Sequence, residues 1–393
     1  MLEFEKRHAN IVKKDKKYIA STYNRFPVEI IAGRGSHLIG SDGTYYVDMG
    51  SGIAVNTFGV ADETFNNAVI GQLSLYSHVS NLYYSAPCAE LAEALCKKTG
   101  FKKVFFGNSG AEANECAIKV ARKWGEDRNA SEIITLVNSF HGRTVTTLAA
   151  TGQEVFHKHF YPFTPGFKFV EAGDIGALKA AVTDKTAAVM LEFIQGEGGV
   201  NVVDNEYIAA LFALAKEKNF LVIADEVQTG NGRTGKYFAF EHFGVTPDIV
   251  TTAKGLGGGL PIGACLLGEK VENVLTPGDH GSTFGGNPAI CAGALTIVKR
   301  INNKLLREVA EKGEYIKKNL IGKKNVLSVT GMGLMLGVET PFDAKKVVKA
   351  CMDRGVLFLT AKNKIRMLPA LNIPYNFINE AIRVLLEVLE KGV

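Results

Sequence analysis

The sequence has little of what marks secreted, membrane or metal-binding proteins. Its six cysteines are scattered over 393 residues, with no C-x-x-C pair and no histidine cluster at metal-ligand spacing. No uncharged run is long enough to span a membrane, and the first eight residues lack the apolar stretch of a signal peptide. We therefore expect a cytoplasmic chain with reduced thiols, no metal site and no membrane anchor.

The charge pattern gives no support for a nucleic-acid surface. The net charge of +5 is spread over the chain, and the lysine-rich run 13–17 is typical of a solvated helix face. A surface for nucleic acid would interleave basic and stacking aromatic residues, and only Tyr18 and Tyr23 lie near this run. The length of 393 residues instead suggests two or three domains. A composition of 46% apolar and 22% charged residues favours a globular protein.

The middle of the chain alternates short apolar runs with helix-period stretches, which is the α/β pattern. The helical stretches are Glu112 to Trp124 and Tyr207 to Lys218. The apolar runs end abruptly in small or polar residues, as buried parallel strands do where active-site loops follow them. These predicted strands are Lys103 to Phe106, Glu132 to Val137, Ala187 to Phe193, Phe220 to Ala224, Ile249 to Thr252 and Ala264 to Leu267.

The two chain ends carry smaller elements. Residues 37–39 and 45–48 predict a hairpin with Asp42-Gly43 in its turn. Strands are expected in 326–339 and 355–359, and a closing helix in 379–390. We therefore expect a large, mostly parallel-sheet α/β domain over 49–287. A small α+β domain would be built from 1–48 and 288–393.

The first stretch with chemical potential is Phe106-Gly-Asn-Ser-Gly-Ala-Glu-Ala-Asn114, a strand that runs through small residues into a helix. Free backbone N–H groups and the hydroxyl of Ser109 at a helix N-terminus would bind an anion such as phosphate. An ordinary serine helix cap explains the same residues.

The second stretch is an apolar strand, 221–224, that ends in Asp225 and Glu226. Open α/β sheets bind ligands at the carboxyl ends of their strands, and a carboxylate there would keep a pyridinium nitrogen protonated. A helix cap or a magnesium ligand is the alternative. The magnesium reading requires a G-x-x-x-x-G-K-[ST] loop, which the sequence does not contain.

The third stretch places Lys254 at a strand end before the glycine-rich run 255–259. A lysine held out of water is deprotonated, as an amine that forms a Schiff base must be. A flexible surface turn is the alternative, but Asp225 and Lys254 both end predicted strands, with one helix-sized segment between them. The run 281–288, with Ser282 and Thr283 framed by glycines, is either part of a phosphate site or a turn.

In this order the stretches resemble the class III pyridoxal-phosphate aminotransferases and, within them, the acetylornithine aminotransferases. The resemblance runs from about Tyr23 to about Ile382. Five blocks carry it: 108–115 (NSGAEANE), 140–144 (FHGRT), 195–200 (QGEGGV), 225–235 (DEVQTGNGRTG) and 281–288 (GSTFGGNP).

The resemblance implies the aspartate-aminotransferase-like fold and a pyridoxal 5′-phosphate cofactor. Lys254 should form the Schiff base, Asp225 should pair with the pyridine nitrogen, Gln228 should approach the ring hydroxyl and Phe140 should stack on the ring. The phosphate should lie on Ser109, Gly110 and Ala111. The full set of implied cofactor residues is Ser109, Gly110, Ala111, Phe140, Asp225, Glu226, Val227, Gln228, Lys254 and Thr283.

The resemblance also implies the substrates and the assembly. Arg143 should bind the substrate carboxylate with Ser282 nearby, and Glu197 should mask Arg366 until a dicarboxylate such as 2-oxoglutarate enters; a fixed salt bridge is the alternative for that pair. Thr283 should reach the phosphate of a neighbouring subunit, which implies a homodimer with shared active sites. The implied reaction converts N2-acetylornithine and 2-oxoglutarate to N-acetylglutamate 5-semialdehyde and glutamate, a step of arginine biosynthesis.

Two positions depart from the usual family wording. The chain reads Phe58-Gly-Val-Ala-Asp-Glu63 where Leu-Gly-His and His-Pro are common, and Glu192-Phe193 where Glu-Pro is common. The first lies near the usual substrate entrance, and we expect neither to touch the chemical residues. Other readings stay open: an ornithine, 4-aminobutyrate or succinyldiaminopimelate aminotransferase, a racemase or decarboxylase on the same fold, or a nucleotide-binding protein.

Overall fold

The computed structural model describes the backbone of residues 2–392 and the side chains of residues 8–392. Residues 1 and 393, the outer ends of the predicted small-domain segments, and the side chains of residues 1–7 lie outside this range. No helix in the described range combines the length and apolarity that crossing a bilayer requires.

The strands, in chain order, are β1 (Ile30–Arg34), β2 (His37–Gly40), β3 (Tyr45–Asp48), β4 (Lys103–Gly107), β5 (Glu132–Leu136), β6 (Phe167–Val170), β7 (Thr186–Leu191), β8 (Ile194–Gln195), β9 (Asn201–Val202), β10 (Leu221–Asp225), β11 (Ile249–Thr252), β12 (Gly263–Leu267), β13 (Ser328–Met332), β14 (Met335–Glu339), β15 (Val356–Leu357), β16 (Leu359–Ala361) and β17 (Lys364–Met367). The α-helices are α1 (Leu2–Tyr18), α2 (Ser51–Ala54), α3 (Glu63–Leu73), α4 (Ala86–Thr99), α5 (Gly110–Trp124), α6 (Val145–Ala150), α7 (Ile175–Ala181), α8 (Asn205–Lys218), α9 (Pro288–Arg300), α10 (Asn303–Leu320), α11 (Ala344–Met352) and α12 (Tyr375–Lys391).

A seven-stranded sheet forms the centre, in the order β4-β12-β11-β10-β7-β5-β6. Neighbours from β11 to β6 are parallel, whereas β12 is antiparallel to both β11 and β4. Alternate residues face opposite layers: Leu221 packs in the cluster that contains helix α5, and Val222 packs in the cluster on the other side. Both faces are therefore buried, which explains why these strands read as continuous apolar runs.

Smaller sheets lie at the two ends of the chain. Strand β3 pairs in parallel with β15 through Val47 and Val356, so the N-terminal hairpin is completed by a C-terminal strand. The C-terminal hairpin β13–β14 continues into β17 and β16. This exchange between chain ends is compatible with a small domain built from both, while its boundaries at 48/49 and 287/288 stay a prediction.

Three details differ from the sequence prediction. Strand β12 was expected to be parallel, but the link 253–262 is too short for the crossover that parallel pairing needs, so the strand returns antiparallel. Strand β6 was not predicted. The helix-sized segment between β10 and β11 holds no α-helix; it consists of turns and one short 3₁₀ helix, Ala239–Phe243.

Candidate active site

A cavity of about 540 Å³ opens at the carboxyl ends of β10 and β11, beside the N-terminus of α5. This edge is where open α/β sheets bind ligands. Predicted site residues from four separate stretches of the chain line it: Ser109, Gly110, Ala111, Phe140, Arg143, Asp225, Val227, Gln228 and Lys254.

The N-terminus of α5 forms one wall of the cavity. Ser109 caps the helix by accepting a hydrogen bond from the Glu112 N–H at 3.2 Å. A Cβ on Gly110 would lie 2.7 Å from a methyl of Val227, so only glycine lets the helix start this close to the strand end. The first N–H groups of this 15-residue helix therefore face the cavity with the positive end of the helix dipole.

Asp225 is buried at the end of β10 and is held by three donors. Its Oδ2 accepts from Asn114 Nδ2 and lies at hydrogen-bond distance from His141 Nδ1, both at 2.8 Å. Its Oδ1 accepts from the Val227 N–H at 3.0 Å. The carboxylate is thus fixed in direction, while the buried Nε2 of His141 has no partner among the described residues.

Glu192 is a second buried carboxyl of the cavity wall. Its oxygens accept from the backbone N–H groups of Phe140 and Gly196 at 2.9 and 3.1 Å. Burial raises the pKa of Glu192 to about 7, with the charge of His141 opposing the shift and that of Asp225 adding to it. Contrary to the sequence expectation, the Glu192-Phe193 position therefore does touch a residue of the site, since it fixes the backbone of Phe140.

Lys254 begins a 3₁₀ turn, Lys254–Gly257, that follows β11. Its φ of +43° is in the left-handed region, which non-glycine residues seldom adopt and which marks local strain. The turn is held by Thr57 Oγ1, which donates to the Gly255 carbonyl at 2.7 Å. Burial lowers the pKa of Lys254, although the carboxylate of Glu197 opposes the shift. The amine is therefore easier to deprotonate than an exposed lysine.

Phe140 and Arg143 lie at the mouth of the cavity. The ring of Phe140 meets Phe156 edge to face, and the guanidinium of Arg143 lies 4.0 Å from the centroid of Phe156. Arg143 is exposed, and among the described side chains no carboxylate lies within ion-pair distance of it. Its charge is therefore available to a ligand.

Glu197 and Arg366 form an ion pair next to the cavity. Arg366 Nη1 donates to Glu197 Oε1 at 2.6 Å and to Gln228 Oε1 at 3.1 Å. The Arg366 side chain is almost wholly buried, and its Nε has no partner in the described structure. Burial raises the pKa of Glu197, but the charge and hydrogen bond of Arg366, together with Lys254 and Gln228, outweigh this and leave the pKa below its ordinary value.

Ser282 and Thr283 do not line this cavity. They line a separate cleft with His78, Ser80 and Asn81. Ser282 is held in place because its Oγ accepts from Asn108 Nδ2 at 3.1 Å, whereas Thr283 is exposed.

Glu226 also lies outside the cavity, although the resemblance implied a cofactor contact. Its carboxyl accepts from the Phe240 N–H at 3.0 Å and from the hydroxyl of Thr229. Burial raises its pKa to about 7. The side chain therefore turns toward the 3₁₀ segment, and we drop it from the site.

The sequence alone did not single out Asn114, His141 or Glu192. Asn114 and His141 lie inside the quoted blocks 108–115 and 140–144, but only the fold shows that both meet Asp225. Glu192 directly follows the buried strand β7, just as Asp225 ends the buried strand β10. This shared position was the sequence signal that could have identified Glu192 as a site residue.

Comparisons with known proteins decide the family. The model of the family "Aminotransferase class-III" matches residues 18–389. The chain belongs to the class-III aminotransferases. It is 50% identical over 383 residues to the acetylornithine aminotransferase of Haemophilus ducreyi, covering 96% of this chain and 98% of that one.

Solved structures agree with this family. An ornithine aminotransferase from Toxoplasma gondii, whose structure shows pyridoxal phosphate partially occupying the active site, superposes with a TM-score of 0.91 at 32% identity, covering 98% of this chain and 95% of that one. The acetylornithine aminotransferase of Elizabethkingia anophelis gives a TM-score of 0.87 at 32% identity, covering 98% of this chain and 99% of that one. This class-III aminotransferase is thus a pyridoxal-phosphate-dependent enzyme with the fold of that group.

The cavity of the aminotransferase fits this cofactor. A ring nitrogen requires a fixed carboxylate, and Asp225 is one. A phosphate requires free N–H groups, which α5 offers where Gly110 leaves room beside Val227. An aldehyde requires an amine that loses its proton readily, and burial lowers the pKa of Lys254.

Proposed function

We propose that this enzyme moves the terminal amino group of N2-acetylornithine to 2-oxoglutarate, giving N-acetylglutamate 5-semialdehyde and glutamate, in arginine biosynthesis. The relative that is 50% identical over nearly its full length is an acetylornithine aminotransferase. The observation that carries the proposal is the contrast between two arginines. Arg143 is exposed and pairs with no carboxylate of residues 8–392, while Arg366 is buried against Glu197.

That contrast suits two substrates with different numbers of carboxylates. The donor has one carboxylate, which Arg143 binds with its planar guanidinium while Glu197 stays on Arg366. The acceptor 2-oxoglutarate has two. Its second carboxylate takes the place of Glu197 on Arg366, whose buried Nε has no hydrogen-bond partner within the described side chains and would gain one.

The chain's own residues have separate duties in the reaction. When bound, pyridoxal phosphate supplies an aldehyde that joins the amine and a ring that delocalises the electron pair released at the substrate carbon. Lys254 holds the cofactor between reactions and, once free, carries the proton between the substrate carbon and the cofactor. Asp225, oriented by Asn114 and His141, keeps the proton on the ring nitrogen.

Gln228 and Phe140 orient the ring in this proposal. Gln228 lies in the cavity wall and bonds to both Glu197 and Arg366, so it links the ring edge to the ion pair. Phe140 covers a ring face, and Ser109, Gly110 and Ala111 bind the phosphate.

The proposal includes a homodimer in the cytoplasm. Thr283 and Ser282 line a cleft apart from the cavity of their own chain, which suits a role in the partner's site. Exposed apolar side chains cluster nearby, at Leu82, Tyr83, Tyr84 and Phe284, as expected of a surface covered by a second copy. Six cysteines without disulfides favour a reducing compartment.

A donor panel tests the substrate assignment. Purified enzyme with 2-oxoglutarate is given N2-acetylornithine, ornithine, 4-aminobutyrate or N-succinyldiaminopimelate, and glutamate formation is measured. We expect the highest kcat/KM with N2-acetylornithine. Ornithine is the main rival, because the structure is also similar to an ornithine aminotransferase. A higher kcat/KM with ornithine would transfer the assignment to that activity.

A further inference from the structure

Val200, at the end of the loop that carries Glu197, has a backbone conformation that its side chain disfavours. Its φ is +55°, in the left-handed region, and valine is branched at Cβ. The residue is nevertheless fully buried, and its N–H donates to the Gln195 carbonyl at 2.9 Å. A strained residue persists only where its surroundings hold it, so the side chain must be fixed by its contacts.

Those contacts lie in the C-terminal sheet. The Val200 side chain fills the space above Gly331 of β13 and Gly337 of β14, where an added Cβ would lie 2.9 and 3.0 Å from its carbon atoms. Gly337 is the direct partner of Arg366 in the β14–β17 pairing. The Val200 side chain therefore packs into the space that the two glycines leave open, next to strand β17, which carries Arg366.

The opposite side of the same loop packs closely against residues next to the large sheet. A Cβ on Gly196 would lie 2.3 Å from Gln228 Oε1, and one on Gly198 would lie 2.7 Å from the Asn138 carbonyl oxygen. The loop backbone therefore has no room to move toward the large sheet. With Val200 anchored in the C-terminal sheet, the Glu197 side chain is the part left free to move.

We propose that Val200 is a positioning residue that sets how firmly Glu197 masks Arg366, and thereby the preference of the enzyme for two-carboxylate over one-carboxylate substrates. This rests on the proposed exchange at Arg366. The strained anchor holds the loop backbone so that Glu197 Oε1 meets Arg366 Nη1. Loosening the anchor lets the loop sample other positions, which weakens the mask and favours dicarboxylates.

The test measures binding of glutarate, a dicarboxylate without an oxo or amino group, to the holoenzyme by calorimetry. Val200→Gly removes both the side chain and the strain, and the dissociation constant of glutarate is expected to fall about fivefold. The KM for 2-oxoglutarate falls with it, while kcat for that half-reaction changes little. Val200→Ala, which keeps Cβ, is a milder second variant. Val202→Ala, at an exposed residue of the same hairpin, is the matched control.

A second set of variants, made in the Glu197→Gln protein, distinguishes a positioning role of Val200 from a nonspecific structural effect. In Glu197→Gln the charge that masks Arg366 is gone, so adding Val200→Gly should no longer change glutarate binding. Gly337→Ala pushes against Val200 from the opposite side and should reproduce the tighter binding. The proposal is overturned if Val200→Gly leaves glutarate binding unchanged or if its effect persists beside Glu197→Gln. If the wild type makes no glutamate from 2-oxoglutarate, the proposed function fails instead.

Discussion

Arg143 shows how a residue's role depends on what surrounds it. Without the family resemblance, an arginine in Phe-His-Gly-Arg is more often a surface or ion-paired side chain than a substrate contact. In the structure its guanidinium lies over the ring of Phe156 at the mouth of the cavity, and no carboxylate among the described residues is paired with it. The aromatic ring orients the charge without neutralising it.

Replacing Arg143 by lysine tests this role. The charge stays but the planar pair of donors is lost, so kcat/KM for the amine donor should fall about 100-fold. The fold should be unaffected because the side chain is exposed. Arg128→Lys is the matched control, since Arg128 also lies over an aromatic ring, that of Trp124, but away from the cavity. Equal losses in both variants would contradict the assignment.

Glu192 predicts a dependence of stability on pH. Burial raises its pKa to about 7 from an ordinary value of 4.5, so the folded state binds a proton that the unfolded state has released between these values. Its contribution to the free energy of unfolding is therefore complete below about pH 4.5 and is lost as pH rises through about 7. Glu192→Gln should flatten this part of the wild-type profile.

The measurement is denaturant unfolding at several pH values between 5 and 8. Exposed Glu217→Gln serves as the control, because it should leave the wild-type slope intact. Burial also raises the pKa of Glu226 to about 7, and Glu226 is present in both proteins, so only the difference between wild type and Glu192→Gln is informative. Parallel profiles for the two would contradict the raised pKa of Glu192.

The start of helix α5 depends on a close approach to β10. Gly110→Ala would place a methyl 2.7 Å from Val227 and displace the helix from the phosphate position. Overpacking of this kind costs about 1–3 kcal/mol, which corresponds to at least a several-fold loss of affinity for pyridoxal phosphate. Titrating the apoenzyme with the cofactor checks this. Adding Val227→Ala should restore much of the affinity, and a failure to do so would contradict the steric cause.

Sequence reasoning located the buried strands of the central sheet and the N-terminal hairpin of β2 and β3, but it missed an edge strand of the central sheet. Strand β11 has the predicted bounds, because Ile249 to Thr252 is an uninterrupted buried run. Strand β6 was missed because it lies at the edge of the sheet, where half-exposed residues such as Lys168 break the apolar signal. Strand direction was wrong at β12, since direction is set by the length of the connection and not by composition.

Sequence reasoning identified those site residues whose position follows from their own motif, but not the contacts between motifs. Asp225 ends β10, and Lys254 comes two residues after the end of β11, close to the expected strand end. The link from His141 and Asn114 to Asp225, and from Glu192 to Phe140, joins residues far apart in the chain and needs the three-dimensional fold. Glu226 was misassigned because adjacent residues after a strand point in different directions.

The proposed homodimer implies that each active site draws on two chains. Lys254→Ala lacks the amine, whereas Thr283→Ala lacks the hydroxyl that we assign to the partner's phosphate site. In a mixed dimer, one site would combine the intact Lys254 of one chain with the intact Thr283 of the other. Mixing the two weakly active variants should therefore raise activity above that of either one.

Co-expression of the two variants with different tags, followed by purification of the mixed species, provides this measurement. A mixed dimer no more active than the average of its parents would contradict shared sites. A chain that stays monomeric at assay concentration would contradict the dimer itself.

The most direct test of the whole account is the visible absorbance of the purified holoenzyme during two successive additions. We predict that N2-acetylornithine removes the band of the lysine-bound cofactor and that 2-oxoglutarate then restores it, with one glutamate released per site. Lys254→Ala should show neither the starting band nor the cycle. A wild-type protein that acquires no such band with added pyridoxal phosphate, or whose band does not respond to the two substrates, would contradict the account.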